Sequence, residues 1–107
     1  MRDELLRLRA STEAEAATLA ASLEALFAAS RDSNADDEHD PEGATIGFER
    51  AQLTALLAAA RERIAEVDEA LRRVDDDTYG VCERCGLPIA SDRLAARPFT
   101  RFCIKCA

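Results

Sequence analysis

Four cysteines carry the clearest chemistry in this sequence. Cys82 and Cys85 are separated by two residues, as are Cys103 and Cys106, and 17 residues lie between the two pairs. Two intervening residues let both sulfurs of a tight turn reach one ion at about 2.3 Å. Two such turns supply the four ligands of a closed structural zinc site. Gly86, directly after Cys85, offers the permissive backbone that such a turn needs. The spacing therefore predicts one structural Zn2+ held by Cys82, Cys85, Cys103 and Cys106.

The rival chemistries are weaker. A catalytic zinc keeps an open coordination position, which four thiolates would close. A redox dithiol of the thioredoxin kind would sit beside a strand–helix–strand pattern, and neither cysteine pair does. No apolar run reaches the ~20 residues of a membrane span. Residues 1–10 are too charged for a signal peptide. The cytoplasm is thus the expected compartment, where paired cysteines ligate metal more often than they form disulfides. His39, the only histidine, lies among acids and reads as a solvated loop residue rather than a metal ligand with Asp37 and Asp40.

Something must position those thiolates, and a segment of about 30 residues rarely folds without a metal or a disulfide. Over residues 78–107 the apolar set is only Tyr79, Val81, Leu87, Ile89, Leu94, Phe99, Phe102 and Ile104. Zinc binding is expected to supply much of that segment's folding free energy. Gly86, Pro88 and Pro98 indicate turns there.

The preceding three quarters read as helix. Residues 3 to about 31 hold no Gly or Pro, and Leu5, Leu8, Thr12, Ala16, Leu19, Leu23 and Leu26 step by three or four, one stripe of a helix. Asp40-Pro41 looks like the start of a second helix, with Asp accepting N–H bonds at the cap and Pro in the first turn. Gly43 and Gly47 could move that start toward Thr45. Ile46 and then Leu53, Leu57, Ala60, Ile64, Val67, Leu71 and Val74 form a coiled-coil seam to about Asp76. Pairing Leu23 with Leu53, Leu19 with Leu57, Ala16 with Ala60, Thr12 with Ile64 and Leu5 with Leu71 holds the index sum at 76. A constant sum means antiparallel packing about a point near residue 38, with Phe27 meeting Phe48 just below the turn. The expected fold is all-α dominated: a long antiparallel helical hairpin over 1–77, a tip loop at about 32–44, and a four-cysteine zinc module over 78–107. Helices of roughly 30 residues would run roughly 45 Å.

Charge divides along the same line. Residues 1–77 hold 9 Arg against 19 Asp and Glu, a net of −10, while residues 78–107 hold five basic and two acidic residues, a net of +3. The sum, −7, argues against nonspecific duplex DNA binding, which needs excess Lys and Arg to neutralise phosphates. Asp36, Asp37, Glu38, Asp40 and Glu42 gather at the predicted turn. An acidic rod joined to a mildly basic knob suits a partner with a basic channel or groove.

Two motifs have a family resemblance. Tyr79-Gly80-Val81-Cys82-Glu83-Arg84-Cys85-Gly86-Leu87-Pro88-Ile89 is similar to the zinc-finger signature of the DksA/TraR family. So is Arg93-Leu94-Ala95-Ala96-Arg97-Pro98, followed by Cys103 and Cys106. The preceding hairpin resembles that family's coiled coil. The resemblance implies a bacterial transcription regulator that binds RNA polymerase and not DNA. Members insert the coiled coil into the enzyme's secondary channel, where acids at the tip approach the catalytic centre. The family tip commonly reads Asp-x-x-Asp-x-Ala. Here Asp37-Glu38-His39-Asp40-Pro41-Glu42 keeps both Asp but ends in Glu. Longer members continue past the fourth cysteine into a helix carrying part of the alarmone contact surface, so guanosine tetraphosphate sensitivity is not carried over. A monomer is expected. The alternative reading is a structural zinc adaptor for another protein, with the hairpin as spacer. An enzyme is not expected, since no nucleophile–base pair or paired catalytic carboxylates stand out.

Overall fold

A computed structural model describes residues 1–32 and 41–107, with side chains for 1–29 and 45–107. Three helices appear in it: α1 (Arg2–Asp32), α2 (Pro41–Asp75) and the short α3 (Ser91–Ala96). Asp3 and Glu4 in the first turn of α1, and Arg72 and Arg73 in the last turn of α2, complement the helix dipoles. Helix α2 begins at Pro41, so the tip loop expected over about 32–44 gives up both ends to helix. A first-turn proline fits this, because its fixed φ is helical and its missing N–H would have no partner there. Among the described residues there is no strand, only an antiparallel bridge between Val81 and Pro88.

The chain packs as two compact units, Met1–Thr12 with Glu62–Ala107, and Glu13–Arg61. The boundary expected at residue 77 falls inside the first unit. There α1 and α2 run antiparallel. Arg2 pairs with Asp75, and Arg9 grips Asp68 with both arms of its guanidinium, Nε at 2.5 Å and Nη2 at 3.3 Å. Both pairs have an index sum of 77, one residue from the seam sum of 76, as expected for long side chains flanking an apolar stripe. Leu5, Val67 and Ala70 are fully buried, and Leu8, Leu71, Val74, Tyr79 and Phe99 pack around them. Thr12 is buried within the stripe, and its hydroxyl donates to Leu8 O at 2.7 Å. The i−4 bond explains how a polar residue occupies a seam position.

In the second unit Leu57 and Ala60 are buried, while Ala16, Leu19, Leu23, Leu26, Ile46 and Leu53 are half-buried, so the predicted stripes face inward. The expected Phe27–Phe48 contact is not what forms. Phe48 is 72% exposed, and Phe27 instead carries the guanidinium of Arg50 at 5.5 Å from its ring centre. A cation over the ring face competes well with ring–ring contact at an exposed position.

Helix α2 ends in a Schellman motif. Thr78 N–H donates to Arg73 O at 2.9 Å and Asp77 N–H to Val74 O at 3.3 Å. Asp77 supplies the left-handed residue, with φ of 59°. This turn aims the chain from α2 into the cysteine segment.

Candidate metal centre

The first knuckle is built from Cys82 to Ile89. Gly86, with φ of 76°, donates its N–H to Cys82 O at 2.9 Å and closes the turn over the Cys82–Cys85 pair. A side chain at that φ would be strained. Cys82 N–H donates to Leu87 O at 2.9 Å and Ile89 N–H to Gly80 O at 2.8 Å, which pins the limb on either side of the Val81–Pro88 bridge. The second knuckle closes one residue tighter, with Cys106 N–H donating to Cys103 O at 3.0 Å.

These turns bring all four sulfurs within 4.8 Å of one another. Tetrahedral zinc at about 2.3 Å from each sulfur requires sulfur–sulfur edges of about 3.8 Å. Cys85 Sγ and Cys103 Sγ lie 3.7 Å apart. The donor set and its spacing fit one structural Zn2+.

The crowding shows in the acidities. Cys82 is held down to about 6, chiefly by the backbone N–H of Cys103 and then that of Cys85. Cys106 is pushed up to about 12, first by its side-chain hydrogen bond with Cys103 and then by burial. Four thiolates this close cannot all ionise comfortably unless a cation shares the site, which is the electrostatic problem a divalent ion solves.

A set of polar contacts holds the two knuckles together and joins them to α2. Tyr79 Oη donates to Pro98 O at 2.7 Å, and Arg93 Nε donates to Phe102 O at 2.9 Å. Arg84 Nη1 reaches Cys106 O at 3.3 Å. Arg73 is buried; its Nη2 donates to Phe99 O at 3.3 Å, while its Nη1 has no hydrogen-bond acceptor among the described residues. Burial lowers the Arg73 pKa from its ordinary value, and Glu83 opposes that shift. Glu83, inside the first knuckle, lies 3.8 Å from Arg73 and 3.6 Å from Arg101. Neither Glu83 nor Arg73 was among the predicted site residues. The available signal was that Glu83 is one of only two acids in a basic segment.

Of the other predicted site residues, Asp36, Asp37, Glu38 and Asp40 lie outside the described residues, as does His39. Glu42 falls in the first turn of α2, with its side chain outside the description. Within the described residues no helix is long and apolar enough to cross a membrane.

An antiparallel helix pair that ends in a C4 zinc finger defines the class of protein. A family model, the prokaryotic dksA/traR C4-type zinc finger, matches residues 77–107. The solved structure of transcription factor DksA2 from Pseudomonas aeruginosa is similar at a TM-score of 0.82 and 31% identity, over 98% of this chain and 75% of that one. The chain belongs to the DksA/TraR family. General stress protein 16O of Bacillus subtilis is 36% identical over 73 residues, 68% of this chain and 45% of that protein. The RNA polymerase-binding transcription factor DksA of Escherichia coli K12 is 41% identical over 46 residues, 43% of this chain and 30% of that protein. The matched segments thus span less than half the length of these curated relatives.

Proposed function

We propose that this protein is a cytoplasmic, non-enzymatic transcription regulator that binds RNA polymerase. In this reading the hairpin enters the secondary channel and brings the acidic tip, Asp36, Asp37, Glu38, Asp40 and Glu42, toward the catalytic centre. Residues 1–77 deliver the tip. Residues 78–107 form the zinc module, with Cys82, Cys85, Cys103 and Cys106 as ligands. It acts as a monomer and does not contact DNA directly.

The observation that carries this reading is the likeness to transcription factor DksA2 across 98% of the chain. The charge division supports it: acids crowd the predicted turn, where exposed like charges repel mildly and contribute little to folding. Their placement is therefore better explained by a partner than by stability.

The test uses purified RNA polymerase and the variant Asp37→Asn/Glu42→Gln, which removes charge and keeps shape. The expected result is unchanged melting temperature, unchanged polymerase capture and loss of the effect on transcription in vitro. Normal regulation by the double variant would reject the tip as effector. Failure of the wild-type chain to capture polymerase would reject the reading itself and favour an adaptor for another protein.

A further inference from the structure

The zinc module leaves an apolar groove open on its surface. Leu87, Pro88, Ala96 and Ile104 contribute its apolar lining, and Arg97 and Lys105 line it as well. Leu87 is 63% exposed and Ile104 is 78% exposed. The rest of the finger's small apolar set is treated differently: Ile89 is buried, and Tyr79, Leu94, Phe99 and Phe102 are half-buried, with Val81 as the other exposed member. A module this short cannot easily spare two large aliphatic residues from its interior.

The metal turns dictate where these two residues sit. Leu87 lies two residues after Cys85, and Ile104 directly follows Cys103. Closing the two knuckles on one ion brings both side chains to the same groove. The patch therefore exists only when the finger is folded.

The charged residues of the lining give the chemistry of what would cover it. Arg93, Arg97, Lys105 and Asp92 border the groove, a net of +2. Asp92 spends one carboxylate oxygen on the N–H of Arg93, and Arg93 is engaged by Phe102 O and Thr100. Arg97 rests over the ring of Phe99. No internal carboxylate pairs with Arg97 or Lys105 among the described residues. An apolar patch with unpaired cations beside it is complementary to an amphipathic helix whose apolar side is flanked by Asp and Glu.

We propose that this groove is a docking site for an acidic amphipathic helix of a partner protein, anchored on Leu87 and Ile104 and oriented by Arg97 and Lys105. The surface is independent of the acidic tip and of the polymerase reading.

The experiment titrates the zinc-loaded 107-residue chain with two synthetic helical peptides about four turns long. One has a leucine face flanked by Glu, and its twin carries Lys in place of Glu. Binding is followed by chemical shifts of backbone amides. The expected result is saturable binding of the acidic peptide, with shifts centred on Leu87, Ala96 and Ile104, and binding of the basic twin weaker by about tenfold. Leu87→Ser/Ile104→Ser should abolish binding while leaving zinc content and melting unchanged, since both side chains are exposed. Arg97→Gln/Lys105→Gln should weaken the acidic peptide and narrow the gap between the twins. Equal binding of both peptides, absence of saturable binding, or binding that survives the double serine variant would overturn the proposal. So would a dimer in sedimentation that disappears in that variant, because it would assign the groove to a second copy.

Discussion

Asp77 holds the left-handed position that ends α2, at φ of 59° and without the help of a glycine. Placing an L-side chain there costs about 1 kcal/mol, the low end of the range because Asp can bond locally. Asp77 is also the third carboxylate in a row after Asp75 and Asp76, at the negative end of the α2 dipole. Removing its charge adds about 0.3 kcal/mol at an exposed site. Against these gains, glycine loosens the unfolded chain by about 0.7 kcal/mol. Asp77→Gly should therefore stabilise the zinc-loaded protein by about 0.6 kcal/mol. That corresponds to a rise of about 2–5 °C in melting temperature for a chain of this size. Asp77→Ala removes the same charge but keeps the backbone strain and gives up the local bonding of Asp. It should melt below Asp77→Gly by about 1 kcal/mol. The assay is thermal denaturation followed by circular dichroism at fixed zinc. If the Gly and Ala variants melt together, or the Gly variant melts clearly below wild type, the strain argument is refuted.

Three further outcomes are expected. Cys85→Ser should lower bound zinc from about one equivalent and cost the fold of residues 78–107, while much of the helical signal survives on the seam of Glu13–Arg61; a fully folded, metal-free variant would count against structural zinc. Cysteines replacing Leu19 and Leu57 should crosslink readily, since bridging needs Cα atoms within about 7 Å, and preferential crosslinking from position 19 to position 53 or 64 would contradict the register. Tyr79→Phe removes the bond to Pro98 O and should cost about 1 kcal/mol. Burial raises the Tyr79 pKa above its ordinary value, so the fold favours the neutral phenol. Its contribution is then full below pH 10 and is lost as pH rises past 10. Urea midpoints measured from pH 8 to 11 should fall less steeply at the alkaline end for the Phe variant.

Much of this architecture was legible because it follows from periodicity. A three-four stripe fixes which face of each helix turns inward, and a constant index sum fixes the antiparallel register. The side-chain pairs Arg2–Asp75 and Arg9–Asp68 fall one residue from that sum. The metal site was legible because two knuckles at that spacing have few other uses. What was missed depends on tertiary placement. Nothing local predicts that Arg50 will take the face of Phe27 that Phe48 was expected to share. The run Asp75-Asp76-Asp77 carries no glycine to announce a Schellman turn, because the side chain at its left-handed position is an aspartate. Leu87 and Ile104 counted toward the finger's interior by composition alone, yet both face outward. Glu83 became visible only once the knuckle stood beside Arg73 and Arg101.

The finger is not packed as a separate body: Tyr79 and Phe99 lie against the cluster of Leu5, Val67 and Ala70. Coupling free energy between two parts of a protein is reciprocal. Whatever rigidity the bound ion lends to that cluster, the cluster returns as tighter retention of the ion. Leu5, among the residues farthest from the cysteines along the chain, is therefore expected to influence zinc affinity. Shortening its side chain should shift the zinc equilibrium toward a competing chelator without altering any ligand.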